Sequence, residues 1–101
     1  MLWLTKTTKN APPMAEARIR LSDPRGLDVH LSKRLASVAR AFGAAALLTD
    51  TDGRVADVRD ALSLMLLGAR ADEPLGLRCV GPDAGPALHA IVDAAAAERV
   101  A

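Results

Sequence analysis

The chain has few of the residues that build disulfides, thiolate metal sites or base-stacking surfaces. Cys79 is the only cysteine among 101 residues, so an internal disulfide and a zinc site made of thiolates are excluded. Trp3 and Phe42 are the only aromatic residues, which argues against a surface that stacks nucleic-acid bases. The net charge is +1, so the chain as a whole has no electrostatic reason to bind nucleic acid or membrane. The cysteine usage suits the cytoplasm.

Long hydrophobic runs are also missing. No apolar run reaches the roughly 20 residues that span a bilayer, so we expect no membrane insertion. Residues 1–4 are apolar but too few for a signal-peptide core, and the polar stretch after them ends in Pro12-Pro13. We predict a flexible tail over residues 1–13 and one folded domain over residues 14–101, with Met1 or Met14 as the translation start.

Period-two alternation of apolar and polar residues predicts four strands. The first covers residues 15–21, where charged residues separate the apolar ones. Runs at 44–50 and 54–58 flank an Asp-Gly pair, which is a strong signal for a hairpin. Residues 74–80 alternate again.

Helical spacing of apolar residues predicts three helices. The first runs over residues 29–41 behind Asp28, the second over 61–67 behind Asp60, and the third ends near Ala96. The order is therefore strand, helix, strand, strand, helix, strand, helix. This order predicts an α+β open-faced β-sandwich, with the helices on one face of a four-stranded antiparallel sheet.

Several segments together resemble a known family. Gly26-Leu27-Asp28-Val29-His30-Leu31 opens the first helix, and Val58 to Ala69 spans the second. With the Asp-Gly hairpin and Gly81-Pro82-Asp83, these segments resemble HPr, the small phosphocarrier of the bacterial sugar phosphotransferase system. None is specific alone, but their joint spacing is. The resemblance covers residues 15–97 and implies an HPr-like open-faced sandwich.

The resemblance also implies a phosphorylation site at the start of the first helix. HPr proteins usually have Gly-Leu-His-Ala-Arg-Pro there, and the His carries a phosphoryl group against free N–H groups of the first turn. Here Asp28 takes the position of that His, Val29 that of the small residue, His30 that of the Arg and Leu31 that of the Pro. An Asp N-cap accepts from those N–H groups and adds a repelling charge. We therefore expect no usual phosphohistidine.

Two residues remain candidate phosphoryl acceptors. His30 is a candidate displaced acceptor on the polar side of the helix, and the alternative is a solvated surface His. Asp28 is the second candidate because a carboxylate can accept a phosphoryl group. Such carboxylates normally lie among acidic residues that hold a divalent metal, and the sequence has no such cluster. We predict no metal and no cofactor.

Asp60 resembles in position the regulatory serine that kinases phosphorylate in some HPr proteins. A carboxylate there imitates the phosphorylated state. The alternative, which we favour, is a simple N-cap for residues 61–67. In both cases regulation through a serine at this position is lost.

The second predicted helix is apolar nearly all round, and so short a helix cannot bury every side. In HPr proteins this helix and the first one form the surface that meets partner enzymes. We predict a docking surface with an apolar centre and a basic rim. The centre comprises Ala61, Leu62, Met65 and Leu66, and the rim comprises His30, Lys33, Arg34, Ser37 and Arg40. The alternative is that the leucines and Met65 belong to the core.

The resemblance implies a binding protein rather than an enzyme. Its partners would be of the phosphotransferase type, namely an enzyme I-like protein, an enzyme IIA-like protein or a regulator. We expect a monomeric docking or regulatory paralogue that cannot use the usual phosphohistidine. One alternative is a working phosphocarrier of the sugar phosphotransferase system with His30 or Asp28 as acceptor. Another is a paralogue with an unrelated partner.

Overall fold

The structure is a computed structural model that describes residues 13–96. Four strands and three helices lie in that range: β1 (Met14–Ile19), α1 (Val29–Arg40), β2 (Ala45–Thr49), β3 (Val55–Asp57), α2 (Ala61–Leu67), β4 (Leu75–Val80) and α3 (Ala84–Ala96). The predicted order of elements is confirmed. The predicted tail lies outside the described residues except for Pro13, so the proposed domain boundaries stay a prediction.

The four strands form one antiparallel sheet in the order β1-β4-β2-β3. β4 is central, since Val80 lies opposite Met14 of β1 and opposite Ala45 of β2. β1 and β3 form the two edges. α3 packs against β1 and β4, α2 packs against β3, and α1 packs against both of these helices. The predicted α+β open-faced sandwich is therefore confirmed.

The core lies between the sheet and the helices because alternate strand residues point to that side. β4 buries Leu75, Leu77 and Cys79 there, and α1 adds Leu31 and Leu35. Burial raises the pKa of the Cys79 thiol, which disfavours the reactive thiolate. Within residues 13–96, no helix covers the other face of the sheet.

Each of the four strands is one or two residues shorter than the alternation predicts, and β1 shows one reason. Leu21 continues the pattern of β1 and is fully buried, but β1 ends at Ile19. The Leu21 carbonyl instead accepts a hydrogen bond from the N–H of Asp72 in the loop before β4, at 3.1 Å. Leu21 is thus held by a loop rather than by a neighbouring strand. An apolar residue in an alternating pattern predicts burial, but the pattern does not show whether a strand or a loop holds that residue.

The β2–β3 hairpin is held by the buried Asp50. Its carboxylate accepts from the backbone N–H groups of Asp52 and Arg54 and from Nε of Arg54, the last at 2.8 Å. Burial acts to raise the pKa of Asp50, but these bonds outweigh it and hold that pKa below its usual value. Arg54 also donates to the Leu67 carbonyl at 3.3 Å, which connects the hairpin to the end of α2.

Candidate functional site

The turn before α1 is clamped to a distant segment. Gly26 has φ +64°, a backbone conformation that favours glycine, and a Cβ there would overlap the carbonyl oxygen of Ala69. The next residue, Leu27, donates its N–H to that same carbonyl at 2.9 Å. The start of α1 is therefore fixed by backbone contacts as well as by its own cap.

Asp28 has the N-cap geometry that its sequence position predicts. Its backbone is extended, and its Oδ1 accepts from the N–H of Leu31, the third helical residue, at 3.0 Å. Its carbonyl accepts from the N–H of Ser32 at 3.0 Å, which closes the first turn. One N–H of the first turn thus donates to a carboxylate of the same chain.

The predicted rim residues lie on the outer side of α1. His30, at the second helical position, is exposed, and so are Lys33, Arg34, Ser37 and Arg40. The opposite side of α1 buries Leu31, Ser32, Leu35, Ala36 and Ala39. The structure therefore brings the five rim residues onto one solvent-facing side.

Asp60 also has N-cap geometry, in a more exposed setting. Its carboxylate accepts from the N–H of Leu62 at 3.0 Å. The helix behind it ends at Gly68, which has φ +61° and donates to the Leu64 carbonyl at 3.1 Å. The predicted and observed bounds of α2 coincide, because a capping Asp and a left-handed glycine delimit it.

The four apolar residues predicted for the centre of the docking surface differ in exposure. Leu62 and Leu66 are exposed by 60% and 75%, whereas Ala61 and Met65 are partly buried. Leu62 and Leu66 are four residues apart and therefore lie side by side on the helix. The alternative that these residues belong to the core is therefore wrong for Leu62 and Leu66. The inward positions of α2 belong to Leu64 and Leu67.

Arg40 connects the two helices of the predicted surface. Its Nε donates to the carbonyl of Arg59, the residue before Asp60, at 2.7 Å. The end of α1 is thereby attached to the start of α2. Sequence reasoning placed Arg40 on the rim as a cation and did not predict this contact, which depends on how the helices pack.

The family of the chain follows from comparison with known proteins. The sequence matches the PTS-HPr family, described as the PTS HPr component phosphorylation site, over residues 15–97. The chain belongs to the HPr family. HPr family proteins are phosphocarriers of the phosphotransferase system and not enzymes. No curated protein sequence matches the chain.

Solved structures of HPr proteins share the fold. The phosphocarrier protein HPr from Bacillus anthracis str. Ames is 22% identical, with a TM-score of 0.76 over 81% of this chain and 96% of that one. The Mycoplasma histidine-containing phosphocarrier protein is 19% identical, with a TM-score of 0.74 over 79% and 90%. Crh of Bacillus subtilis, a catabolite repression protein that forms a swapped dimer, is 22% identical, with a TM-score of 0.61 over 82% and 93%.

The sequence analysis did not predict the exposure of three residues in or beside the two helices of the predicted surface. Val29, the first residue of α1, is exposed by 47%, and Arg59 is exposed beside Asp60. The signal for Val29 was its place outside the apolar stripe of α1. Ser32 is fully buried, and its Oγ has no hydrogen-bond partner. A buried serine within an apolar helix side has no sequence signal of its own.

The described part of the chain contains neither a cluster of metal ligands nor a membrane-spanning helix. Between residues 13 and 96, no group of three or more His, Cys, Asp or Glu side chains lies together in a way that could hold a metal ion. Over the same range, no helix is long and apolar enough to cross a membrane.

Proposed function

We propose that this HPr family member docks on phosphotransferase-type proteins and regulates them without carrying a phosphohistidine at the usual position. The observation that supports this most directly is the 3.0 Å bond from the N–H of Leu31 to Oδ1 of Asp28. When the chain is compared with HPr sequences, Asp28 occupies the position of the phosphorylated His. Its carboxylate uses a donor that a phosphoryl group at this helix start would need.

The charge of Asp28 supports the same proposal. Two unit charges about 4 Å apart repel by about 1 kcal/mol in water, and by more near a protein surface. A phosphoryl group arriving at the start of α1 meets that repulsion. It also loses part of the favourable interaction with the helix dipole, which the carboxylate already neutralises.

The surface beside Asp28 suits a transient protein partner. Leu62 and Leu66 give an exposed apolar centre on α2, and His30, Lys33 and Arg34 are exposed donors on α1, which packs against α2. The basic rim favours an acidic partner and speeds encounter. The proposed partners are enzyme I-like or enzyme IIA-like proteins or a regulator, met in the cytoplasm by a monomer. The likeness to Crh, a catabolite repression protein, supports a regulatory role.

The second candidate is a working phosphocarrier with a displaced acceptor. His30 favours it because the side chain is exposed at the second position of α1, two residues from the family's phosphorylation position. Asp28 is the less favoured acceptor, since its carboxylate already accepts a backbone hydrogen bond.

Phosphorylation by phosphoenolpyruvate and a cognate enzyme I separates the two candidates. We expect no mass gain in the native chain and a gain of one phosphoryl group in Asp28→His. A gain in the native chain that is lost in His30→Ala would establish His30 as acceptor and overturn the docking-only proposal. A gain that persists in His30→Ala would identify Asp28.

Binding to the same partners tests the docking surface separately. Leu62→Asp places a carboxylate in the apolar centre, and Arg34→Glu reverses a rim charge. We expect each to weaken binding about tenfold or more, measured by calorimetry or biolayer interferometry. Leu47→Asp is the matched control, because Leu47 is exposed by 41% on the opposite face of the sheet. Equal affinities of Leu62→Asp and the control would reject this surface.

A further inference from the structure

The outer edge of β3 is closed by the residues at the start of α2. The N–H of Val58 donates to the Ala46 carbonyl at 2.9 Å, so Asp57, one residue earlier, directs its backbone groups away from β2. Ser63 Oγ accepts from the N–H of Asp57 at 2.9 Å, and the N–H of Asp60 donates to the Asp57 carbonyl at 3.1 Å. These bonds leave little of the β3 edge for another strand.

The outer edge of β1 is not closed in this way. Pro13 lies opposite Gly81, and its carbonyl accepts from the N–H of Gly81 at 2.8 Å. Backbone groups alternate in direction along a strand, so those of Met14, Glu16 and Arg18 point away from β4. Within residues 13–96, no hydrogen bond reaches these groups. An edge strand of six residues with free backbone groups can pair with another strand.

The charged side chains of β1 differ in whether they have a partner. Glu16 and Arg18 are both exposed on the sheet face that carries no described helix. Glu16 lies opposite Arg78 of β4, and its Oε2 is 3.2 Å from Nη2 of Arg78. Arg18 lies opposite Gly76, which has no side chain, and it has no ion pair with any residue between 13 and 96. The edge therefore has one guanidinium group that lacks a carboxylate.

A second copy of β1 supplies that carboxylate. When two copies of β1 run antiparallel about a two-fold axis at Ala17, Glu16 of each lies opposite Arg18 of the other. The row across the sheet then reads Arg78, Glu16, and Arg18 of the second copy, with alternating charge.

The neighbouring registers are less favourable. An axis at Glu16 sets two carboxylates against each other, and an axis at Arg18 sets two guanidinium groups against each other, which destabilises a strand pair. The axis at Ala17 also places the outward backbone groups of Glu16 and Arg18 opposite one another, so they can exchange hydrogen bonds. Arg20, whose Nη1 donates to the Asp72 carbonyl at 3.2 Å, then lies opposite the uncharged Met14.

We propose that two copies of this chain pair edge to edge through β1, with two reciprocal Glu16–Arg18 ion pairs, and join their sheets into one. Each β1 keeps its own β4, so no strand is exchanged. A contact through one short strand is small and therefore weak, so dilute protein is monomeric. β1 packs against β4 and α3, whereas the docking surface lies on α1 and α2. The pairing therefore does not depend on the proposed function.

The mass of the full chain as a function of concentration tests the proposal. By sedimentation equilibrium we expect the monomer at about 10 µM and a rise towards the dimer mass at about 1 mM, as for a weak interface. A monomer throughout this range would overturn the proposal. A dimer that persists for hours after dilution would also overturn it, because such a dimer would have exchanged strands.

Charge reversal tests the register. Glu16→Arg sets arginines against arginines, and Arg18→Glu sets glutamates against glutamates, so we expect each variant alone to dimerise about tenfold more weakly or less. Mixed in equal amounts, the two variants set two arginines against two glutamates. We expect the mixture to form a heterodimer about as well as the native chain dimerises. Native dimerisation of either variant alone, or no heterodimer in the mixture, would overturn the proposal.

Two further variants separate the edge from the face of the sheet. Arg78→Gln removes the partner of Glu16 within the same chain but leaves the edge intact, so the dimer should persist. Arg18→Pro removes an outward N–H without breaking the ladder to β4, so the dimer should be lost. Circular dichroism checks that both variants fold. A dimer lost in Arg78→Gln and kept in folded Arg18→Pro would place the contact on the sheet face and overturn the proposal.

Discussion

The two helices of the proposed docking surface begin alike and present different surfaces. Asp28 and Asp60 each accept a backbone N–H of the following helix at 3.0 Å. α1 then continues for 12 residues with a polar outer side, whereas α2 has 7 residues and exposes Leu62 and Leu66. A capping Asp therefore marks where each helix begins and does not determine what its surface binds.

The two helix starts also differ in what supports the cap. Behind Asp28, the backbone of Leu27 is bonded to Ala69 of a distant loop. Around Asp60, support comes from side chains, because Arg40 binds the Arg59 carbonyl and Ser63 Oγ accepts from the N–H of Asp57. We infer that the start of α1 is the more rigid of the two. The following predictions test that difference, beginning with the largest effect.

Gly26→Ala should break the start of α1. The new Cβ meets the Ala69 carbonyl, and the left-handed backbone adds strain, so we expect a loss of about 3 kcal/mol in the free energy of unfolding. Gly53→Ala is the control, since Gly53 also has positive φ but open space around it. We expect it to lose about 1 kcal/mol. Equal losses in urea unfolding would show that the Ala69 contact does not constrain the turn.

Removing each N-cap in turn allows the stabilities of the two helix starts to be compared directly. Asp28→Ala should lower the free energy of unfolding by about 1.5 kcal/mol and Asp60→Ala by about 0.7 kcal/mol. The first loss is larger because Asp28 is partly buried and begins the longer helix. Asp→Asn at each position keeps the cap and should cost little. A larger loss at Asp60 in thermal or urea unfolding would reverse the proposed order of rigidity.

Ser32→Ala should give the smallest effect, and it should be stabilising. It removes the buried hydroxyl without a hydrogen-bond partner on the inner side of α1, whereas the inner side of α2 is apolar. Ser37→Ala on the exposed side gains only the better helix propensity of alanine. We expect Ser32→Ala to exceed that control by about 0.5 kcal/mol in chemical unfolding. A gain no larger than the control would contradict this account of Ser32.

The fold was predictable where local signals agree with tertiary packing. Asp60 and Gly68 delimit α2 through hydrogen bonds within the helix, so its bounds could be predicted from neighbouring residues alone. The end of β1 could not, because Leu21 is buried by a loop that follows it by fifty residues. Alternation of apolar residues indicates which residues are buried, but a loop can bury a residue as well as a neighbouring strand can.

The candidate site was predictable in its polar part and less so in its apolar part. α1 has separate polar and apolar sides, so the exposure of Lys33 and Arg34 follows from helical spacing. α2 is apolar at nearly every position, so its sequence contains no stripe from which to choose Leu62 and Leu66 over Met65. Only the placement of α2 against β3 and α1 decides which residues face solvent.

The strand order also has a consequence during protein synthesis. Of the four described strands β1 is made first, and its only partner among them is β4, which begins 56 residues after Ile19. At 5–20 residues per second, a ribosome needs roughly 3–11 s to make that stretch. Until then β1 has no partner among the described strands, while the β2–β3 hairpin can already pair. Nascent chains of this protein are therefore most exposed to chaperones and proteases at β1.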